Sequence, residues 1–177
     1  PEQQTSTEYQ TRNVGNGQLF GVEFEVRKNF DFISPELENL NFNANITWVY
    51  SAISMTDLEF NARKFYERTG ENITNTRDMA GQSPYVINAG ISYNNKDIGL
   101  DVGVFYNMKG PTLIIVGTGL IPDIYSEPFH SLNFSLLKKV GKEDRTVITF
   151  KVSNMLNDRT ESYFSSYGAE NQIFSSI

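Results

Sequence analysis

Side chains suited to catalysis are scarce in this chain of 177 residues. The sequence contains one histidine, His130, and no cysteine, so it offers neither a thiolate nucleophile nor a disulfide framework. A general base needs an orienting partner, and the sequence pairs no Ser or Cys nucleophile with His130. We therefore expect no catalytic residue, no cofactor site and no metal site, and we predict that the protein is not an enzyme.

Carboxylates are concentrated between residues 53 and 84, where their oxygens could bind Ca²⁺. Their spacing matches no defined calcium-binding loop, and basic residues are interleaved with them. Two interpretations are open, a cation site or a solvated loop of mixed charge, and the interleaving favours the second. The carboxylates are Asp57, Glu59, Glu67, Glu71 and Asp78, and the basic residues are Arg63, Lys64, Arg68 and Arg77.

Glu23, Glu25 and Arg27 alternate with apolar residues, so an extended backbone projects all three charges from one side. Contact with another domain and pairing with one another in a polar interior are both open interpretations of these charges. Asn and Asp side chains continue the same polar side on later segments. The predicted interior-facing or plug-facing residues are Glu23, Glu25, Arg27, Asn43, Asn45, Asn88 and Asp101.

The segments that position these side chains alternate apolar and polar residues with a period of two. The clearest of them, residues 40–52, is far longer than the ~5–6 residues of a usual globular strand. No segment of comparable length has the helical spacing of apolar residues. The sequence therefore predicts an all-β, antiparallel sheet with one apolar and one polar face. The six alternating segments are 20–27, 40–52, 85–93, 98–108, 131–136 and 148–153.

The connections between these segments alternate in length. Residues 94–97 and 139–145 are short polar turns, whereas 53–84 and 109–128 are long. The intermediate connection, residues 29–39, contains the Ser-Pro-Glu signature of a single helical turn. Short turns at one end and long loops at the other are typical of outer-membrane β-barrels, and external loops carry specificity on such scaffolds. We therefore expect any ligand contacts in the two long connections.

The apolar face is predicted to contact lipid, with aromatic rings near the strand ends forming girdles at the headgroup level. A soluble antiparallel β-sandwich, acting as an extracellular binding or adhesion module, is the alternative because its strands also alternate. Strand length, loop asymmetry and a polar face of Asn, Ser and Gly favour the membrane barrel. The predicted lipid-facing residues are Phe42, Ile46, Trp48, Tyr50, Tyr85, Tyr106, Phe134 and Phe150.

Several motifs of the chain, in order along it, resemble TonB-dependent outer-membrane receptors of the Bacteroidetes type. Their conjunction, in this order along the chain, is specific. One departure is His130, where the family pattern usually has Arg. The motifs are residues 21–28, 40–47, 81–90, Tyr106-Asn107 with Gly110, 122–128 and 152–157.

The resemblance implies that residues 1–177 are the C-terminal part of a 22-stranded, plugged barrel, with the plug domain and the final strand outside the chain. It implies a receptor in the outer membrane of a Gram-negative bacterium that binds and imports a scarce nutrient: a glycan, a peptide, a chelated metal or a cofactor. The implied partners are outer-membrane lipid, the plug and remaining barrel, TonB through the N-terminal region, and, as a further candidate, a surface lipoprotein. A net charge of −6 argues against nucleic acid.

Overall fold

The structure, a computed structural model, describes residues 15–68, 70–141 and 145–165, and the backbone of residues 173–175. Its elements are strands joined by turns, with one α-helix and two short 3₁₀ turns in these residues. In chain order they are β1 (Gly17–Asn29), the 3₁₀ turns Phe30–Phe32 and Pro35–Leu37, β2 (Leu40–Ser54), α1 (Asp57–Phe65), β3 (Thr76–Arg77), β4 (Tyr85–Asn95), β5 (Leu100–Lys109), β6 (Thr112–Ile115), β7 (Asp123–Ser126), β8 (Phe129–Val140), β9 (Thr146–Val152), β10 (Glu161–Ser165) and β11 (Ile173–Ser175).

The six long strands form one antiparallel sheet in the order β1-β2-β4-β5-β8-β9, which we call the wall. The prediction of six antiparallel strands is confirmed. Several predicted boundaries were wrong by two or more residues. For example, β5 begins at Leu100, and Ile98 lies in the preceding turn. Strand β4 ends at Asn95, two residues later than predicted. The turn begins there because the Asn95 side-chain oxygen accepts hydrogen bonds from the backbone N–H groups of Asp97 and Ile98, at 3.0 and 3.2 Å.

The register of the wall separates its side chains into two faces, because directly paired residues of antiparallel strands project to the same side. One row across the sheet runs through Phe42, Ile91, Val104 and Phe134. All eight residues predicted to face lipid lie on this apolar face. All seven predicted interior-facing residues lie on the opposite, polar face.

The two ends of the wall differ as predicted. At the turn end, short connections join β1 to β2, β4 to β5 and β8 to β9. The expected helical turn is present at Pro35–Leu37, where the Ser34 hydroxyl accepts a hydrogen bond from the Glu36 N–H at 3.4 Å. At the loop end, the connections between β2 and β4 and between β5 and β8 are long.

Structured segments at the loop end form what we call the cap: α1, β3, β6, β7, β10 and their connections. A second sheet, in the order β11-β10-β7-β6, was not predicted. The helix α1 was also missed, because its apolar residues Leu58 and Phe65 are exposed and give no buried stripe. The signals for α1 were its ends: the Thr56 cap, acidic residues in the first turn and Arg63 and Lys64 in the last.

Burial is concentrated at the loop end. Among the described residues other than glycine, those that are buried are Ile53, Ser83, Thr112 and Leu113, in or next to the cap. The wall is a single layer, and its apolar side chains Ile46, Trp48 and Phe150 remain roughly half exposed. Within the part of the chain that the structure describes, a small core therefore lies in the cap and none lies under the wall.

Candidate functional site

Asparagine side chains are linked to one another across the polar face of the wall. Asn107 donates a hydrogen bond to the Asn88 side-chain oxygen at 2.8 Å, and Asn133 donates to the Asn107 side-chain oxygen at 3.0 Å. The Asn133 oxygen then accepts from the Asn154 backbone N–H at 3.0 Å, just after β9. This ladder spans β4, β5 and β8 and satisfies amide groups that would be costly on an apolar surface.

The charged residues of the polar face pair locally. Arg27 donates to Glu25 at 2.5 Å, and the Asn45 amide donates to Glu23 on the neighbouring strand. The mutual-pairing interpretation of these charges therefore agrees with the geometry, and both Glu25 and Arg27 remain exposed enough to contact another domain as well. Asp101 also has a local partner, because the Asn94 amide on the neighbouring strand donates to it at 3.1 Å.

The polar face also carries an aromatic ring that the sequence analysis missed. Phe105 projects to this side, and its ring covers the backbone of Gly90 on β4 and Gly103 on its own strand. A Cβ added to either glycine would lie 2.6 Å from a ring carbon. The two glycines were the available signal, because a glycine inside a strand often marks a close approach by another group.

An ion-pair network joins α1 to the connection between β5 and β8. Arg63 forms a two-point hydrogen bond with Asp123, at 2.8 and 2.9 Å, and its guanidinium lies 3.4 Å from Glu59. The Asp123 carboxylate also accepts from the Gly117 N–H at 2.7 Å. Burial alone would lower the pKa of Arg63, but hydrogen bonding and the charges of Asp123 and Glu59 outweigh it and raise that pKa.

Further bonds join parts of the connection between β2 and β4 to one another and to β7. Arg77 donates to Glu59 at 2.7 Å, and the Tyr125 hydroxyl donates to Asp78 at 3.0 Å. The Tyr125 ring stacks on Tyr163 of β10, with ring centroids 6.0 Å apart. Burial, and next to it the negative charge of Asp78, raises the pKa of the Tyr125 phenol well above its ordinary value.

The cap is attached to the wall through Ser83. Its buried hydroxyl lies 2.8 Å from the Tyr85 carbonyl oxygen and 3.1 Å from the Gly110 carbonyl oxygen, bridging the start of β4 and the end of β5. The Tyr85 ring lies over Gly110, where an added Cβ would come within 2.8 Å of the ring. This motif fixes both long connections at their roots.

Four of the five carboxylates considered for Ca²⁺ are engaged with other groups. Glu59 pairs with Arg63 and Arg77, and Asp78 accepts from Tyr125. The acids of the following segment pair in the same way: Glu67 with Lys64 and Glu71 with Arg68. These pairs favour the mixed-charge interpretation. Within residues 15–68, 70–141 and 145–165, no three His, Cys, Asp or Glu side chains are grouped closely enough to hold a metal ion.

A cleft of about 120 Å³ opens between the end of α1 and the segment before β7. Two arginines and two acids give it balanced charge, so it offers both donors and acceptors. The Arg63 Nε is buried and has no hydrogen-bond partner among the described residues. The lining residues are Arg63, Arg68, Glu71, Asn72, Ile73, Gly119, Ile121, Pro122, Asp123 and Ser165.

His130 is not isolated in space. Its Nδ1 lies 2.6 Å from the hydroxyl of Tyr106 on the adjacent strand, and its backbone N–H donates to Asp158 at 2.6 Å. His130 pairs with Met108 and lies on the apolar face near the loop end. No local pattern in the sequence indicated this partner, because Tyr106 precedes His130 by 24 residues.

Helices of the described residues are all too short or too polar to cross a membrane. A family model described as TonB dependent receptor-like, beta-barrel matches residues 1–155 of the chain. No curated protein and no solved structure matches the chain.

Proposed function

The chain belongs to the TonB-dependent receptor-like β-barrel family, and from this premise we propose that it is part of a receptor that imports a scarce nutrient. Members of this family are transporters of the Gram-negative outer membrane. The finer assignments are our proposal: a Bacteroidetes-type receptor, energy relayed by TonB, and a glycan, peptide, chelated metal or cofactor as cargo. A surface lipoprotein is proposed as an additional partner.

The observation that carries the proposal is the two-faced single layer of the wall. Phe24 is 65% exposed, Trp48 49% and Phe150 56%, all on one side. A water-soluble protein would leave a large apolar patch here, and such patches mark interaction surfaces. Lipid acyl chains would cover this face and keep its apolar surface out of water. The opposite face, with its asparagine ladder, suits a polar interior.

The edges of the wall support a larger barrel. Among the described residues, β1 pairs with β2 alone and β9 with β8 alone, so each leaves one row of backbone N–H and C=O groups available. In hydrocarbon each unsatisfied group costs several kcal/mol, which only a closed barrel avoids. We propose that residues 1–177 are the C-terminal part of such a barrel, with further strands and a plug supplied outside the wall.

We assign a different role to the polar face of the wall and to the cap. Residues of the polar face, including Glu23, Glu25 and Asn45, contact the plug or line the path of the cargo. The cap holds the ligand contacts, and the balanced cleft beside Arg63 and Asp123 is a concave surface that can contribute to them. Because both positive and negative groups line it, this cleft suits a cargo with several hydrogen-bonding groups.

The soluble β-sandwich remains the alternative, and the wall argues against it. A sandwich buries one face of each sheet against the other at a spacing of ~10 Å. In the described residues the second sheet lies at the loop end of the wall, and Ile46 and Trp48 stay exposed.

Fractionation and uptake in the native bacterium test the proposal. We expect the full-length protein in the outer-membrane fraction, resistant to extraction with alkaline carbonate and released by detergent. A strain lacking the protein and a strain lacking TonB should lose uptake of the same nutrient from a panel supplied at limiting concentration. Recovery of the protein in the soluble fraction would favour the sandwich. Membrane recovery without any shared uptake defect would overturn the transport assignment.

A further inference from the structure

We propose that Tyr125 and Tyr163 are a site of oxidative cross-linking, at which one-electron oxidation joins the two rings by a carbon–carbon bond and ties β7 to β10. The oxidant is hydrogen peroxide activated by haem iron. This modification goes beyond the proposed function and does not depend on the transport assignment. Three side chains of the cap carry it: the two tyrosines and Asp78.

The two tyrosine rings are direct neighbours on paired strands. Tyr163 of β10 lies opposite Tyr125 of β7 in antiparallel register, so both side chains project to the same face of the second sheet. Their ring centroids are 6.0 Å apart, and their planes differ by 25°. Among the ring contacts of the described residues, this is the one that joins two tyrosines. A radical on either ring therefore has an oxidisable ring beside it.

The surroundings of the pair favour a bond between these two rings. On its other side Tyr125 lies opposite Leu113 of β6, which is 1% exposed and has no ring to couple with. Both tyrosines are half-buried, so an oxidant in solvent can take an electron from them. The partial burial also limits contact of the rings with tyrosines of a second molecule. Coupling within the pair is therefore favoured over coupling between molecules.

The Tyr125 hydroxyl has a proton acceptor next to it. It donates to the Asp78 carboxylate at 3.0 Å, and within the described part of the chain that carboxylate forms no salt bridge. Burial, and next to it the charge of Asp78, raises the pKa of the Tyr125 phenol. The phenol therefore carries its proton at neutral pH and must release it when an electron leaves. Because Asp78 receives this proton, a neutral phenoxyl radical forms more easily at Tyr125.

The atoms and electrons of this reaction balance. Each tyrosine gives one electron to the haem oxidant and one phenolic proton, which passes to Asp78 from Tyr125 and to solvent from Tyr163. The two radicals combine at the ring carbons beside the oxygens. The hydrogen on each of these carbons then moves to the phenolic oxygen, which restores both aromatic rings. Two tyrosines and one hydrogen peroxide thus give one dityrosine and two water molecules.

A bond at this site would brace the cap. The chain has no cysteine, so it cannot form a disulfide for this purpose. Strand β7 belongs to the connection between β5 and β8, whereas β10 follows β9, and the two strands share only a short pairing. A covalent link between segments distant in the sequence stabilises a fold, as a disulfide does, mainly by restricting the unfolded chain. The cross-linked cap therefore opens less readily than the unmodified one.

Peptide mapping after oxidation tests the site. The full-length protein in detergent micelles is treated with hydrogen peroxide and a small haem peptide, and the monomer is isolated on a denaturing gel and digested. We expect a fluorescent dityrosine peptide pair that joins the segments of Tyr125 and Tyr163 and lacks two hydrogen atoms. Tyr163→Phe should abolish this pair. The matched control Tyr66→Phe removes a tyrosine that contacts Phe65 edge-on, and it should leave the yield unchanged.

Absence of the peptide pair from the oxidised, unsubstituted protein would overturn the proposal. Dityrosine that links Tyr125 only to other tyrosines, or only to a second molecule, would overturn it as well.

Two further variants test the role of Asp78. We expect Asp78→Asn to reduce the yield of the peptide pair to less than half, whereas Asp97→Asn, in the turn between β4 and β5, should not change it. With oxidation of free tyrosine as the reference, the yield of the unsubstituted protein should fall at acid pH, where carboxylates are protonated. The yield of Asp78→Asn should not depend on pH in this range. Equal yields in the two variants, or the same fall in acid for Asp78→Asn, would overturn the assignment of Asp78 as the proton acceptor.

Discussion

The wall and the cap are stabilised in opposite ways. The wall is regular, with six strands paired in unbroken register, but many of its apolar side chains, such as those of Phe24 and Trp48, are exposed. The cap is irregular, yet it contains the buried Ser83, Thr112 and Leu113 and the Arg63–Asp123 ion pair. The difference indicates which solvent each region needs: the wall requires a surrounding apolar phase, whereas the cap forms its own small interior.

This comparison also separates two sources of order. Strand pairing in the wall depends on the period-two pattern and on short turns, both local properties of the chain. Order in the cap depends on contacts between segments that are distant in the sequence. One example is the ion pair between Arg63 and Asp123, which are 60 residues apart. Substitutions in the wall should therefore act on the whole barrel, and substitutions in the cap should act locally.

The largest expected effect is a charge on the apolar face of the wall. Ile46→Arg should destabilise the full-length barrel in lipid vesicles by about 2–4 kcal/mol, because it exposes a guanidinium to hydrocarbon near the middle of β2. The control Asn45→Arg places the same side chain beside Glu23 on the polar face and should cost less than about 1 kcal/mol. Folding titrations with urea measure both. Equal losses would contradict the assignment of the two faces.

A smaller, local effect is expected in the cap. Asp123→Asn removes the carboxylate from Arg63, whose side chain is only 12% exposed, and should weaken the cap by about 2 kcal/mol. Hydrogen exchange should rise in β6, β7 and α1 while protection in β4 and β5 is unchanged. The control Glu67→Gln disrupts the more exposed pair with Lys64 and should cost less than about 1 kcal/mol. Loss of protection throughout the wall would show that the cap is not a separate unit.

The ring on the polar face gives a third test. Gly90→Ala would place a Cβ 2.6 Å from the Phe105 ring and should destabilise the wall by about 1–2 kcal/mol through overpacking. Phe105→Leu should relieve part of that cost, so the double variant should be more stable than the sum of the single changes predicts. Additive free energies of unfolding would mean that the ring does not rest on Gly90.

The smallest effect at neutral pH concerns Tyr125. Burial and the charge of Asp78 raise its pKa above the ordinary ~10, so its contribution to the cap is fully present below pH ~10 and is lost as pH rises through the raised folded value. Tyrosinate absorbance, taken as the difference between the unsubstituted protein and Tyr125→Phe, should show no ionisation at pH ~10. Ionisation there, together with unchanged hydrogen exchange in β7, would contradict the Tyr125–Asp78 contact.

The sequence predicted the wall well, because alternation along β2 is a local pattern that a single sheet preserves. The division of residues between two faces follows from it, since the side taken by one residue such as Trp48 determines the side of every other residue in its strand. The cap was largely missed. Strands β6, β7 and β10 are only four or five residues long, which is too short for a clear period-two pattern. The pairing of these strands across long connections also leaves no periodic pattern in the sequence.

The contacts of the candidate site also differ in whether a local sequence pattern could predict them. The charges of Glu23 and Glu25 were found from alternation, but the asparagine ladder depends on register between strands and not on spacing within one. The bond between Arg63 and Asp123 could not be found because several acids and bases in the connection were equally suitable partners. The Phe105 ring was missed because an aromatic residue on a polar face breaks the pattern used to find the face.

Spin-label accessibility along β2 tests the central claim most directly. The chain has no cysteine, so single cysteines at positions 41–48 can be labelled and examined in lipid vesicles, in a full-length protein from which any cysteine outside residues 1–177 has been removed. We predict high oxygen accessibility at positions 42, 44, 46 and 48, and low oxygen accessibility at positions 41, 43, 45 and 47, with a period of two. A period of two with the two sets exchanged, or water-like accessibility on both faces, would contradict a wall that faces lipid on its apolar side.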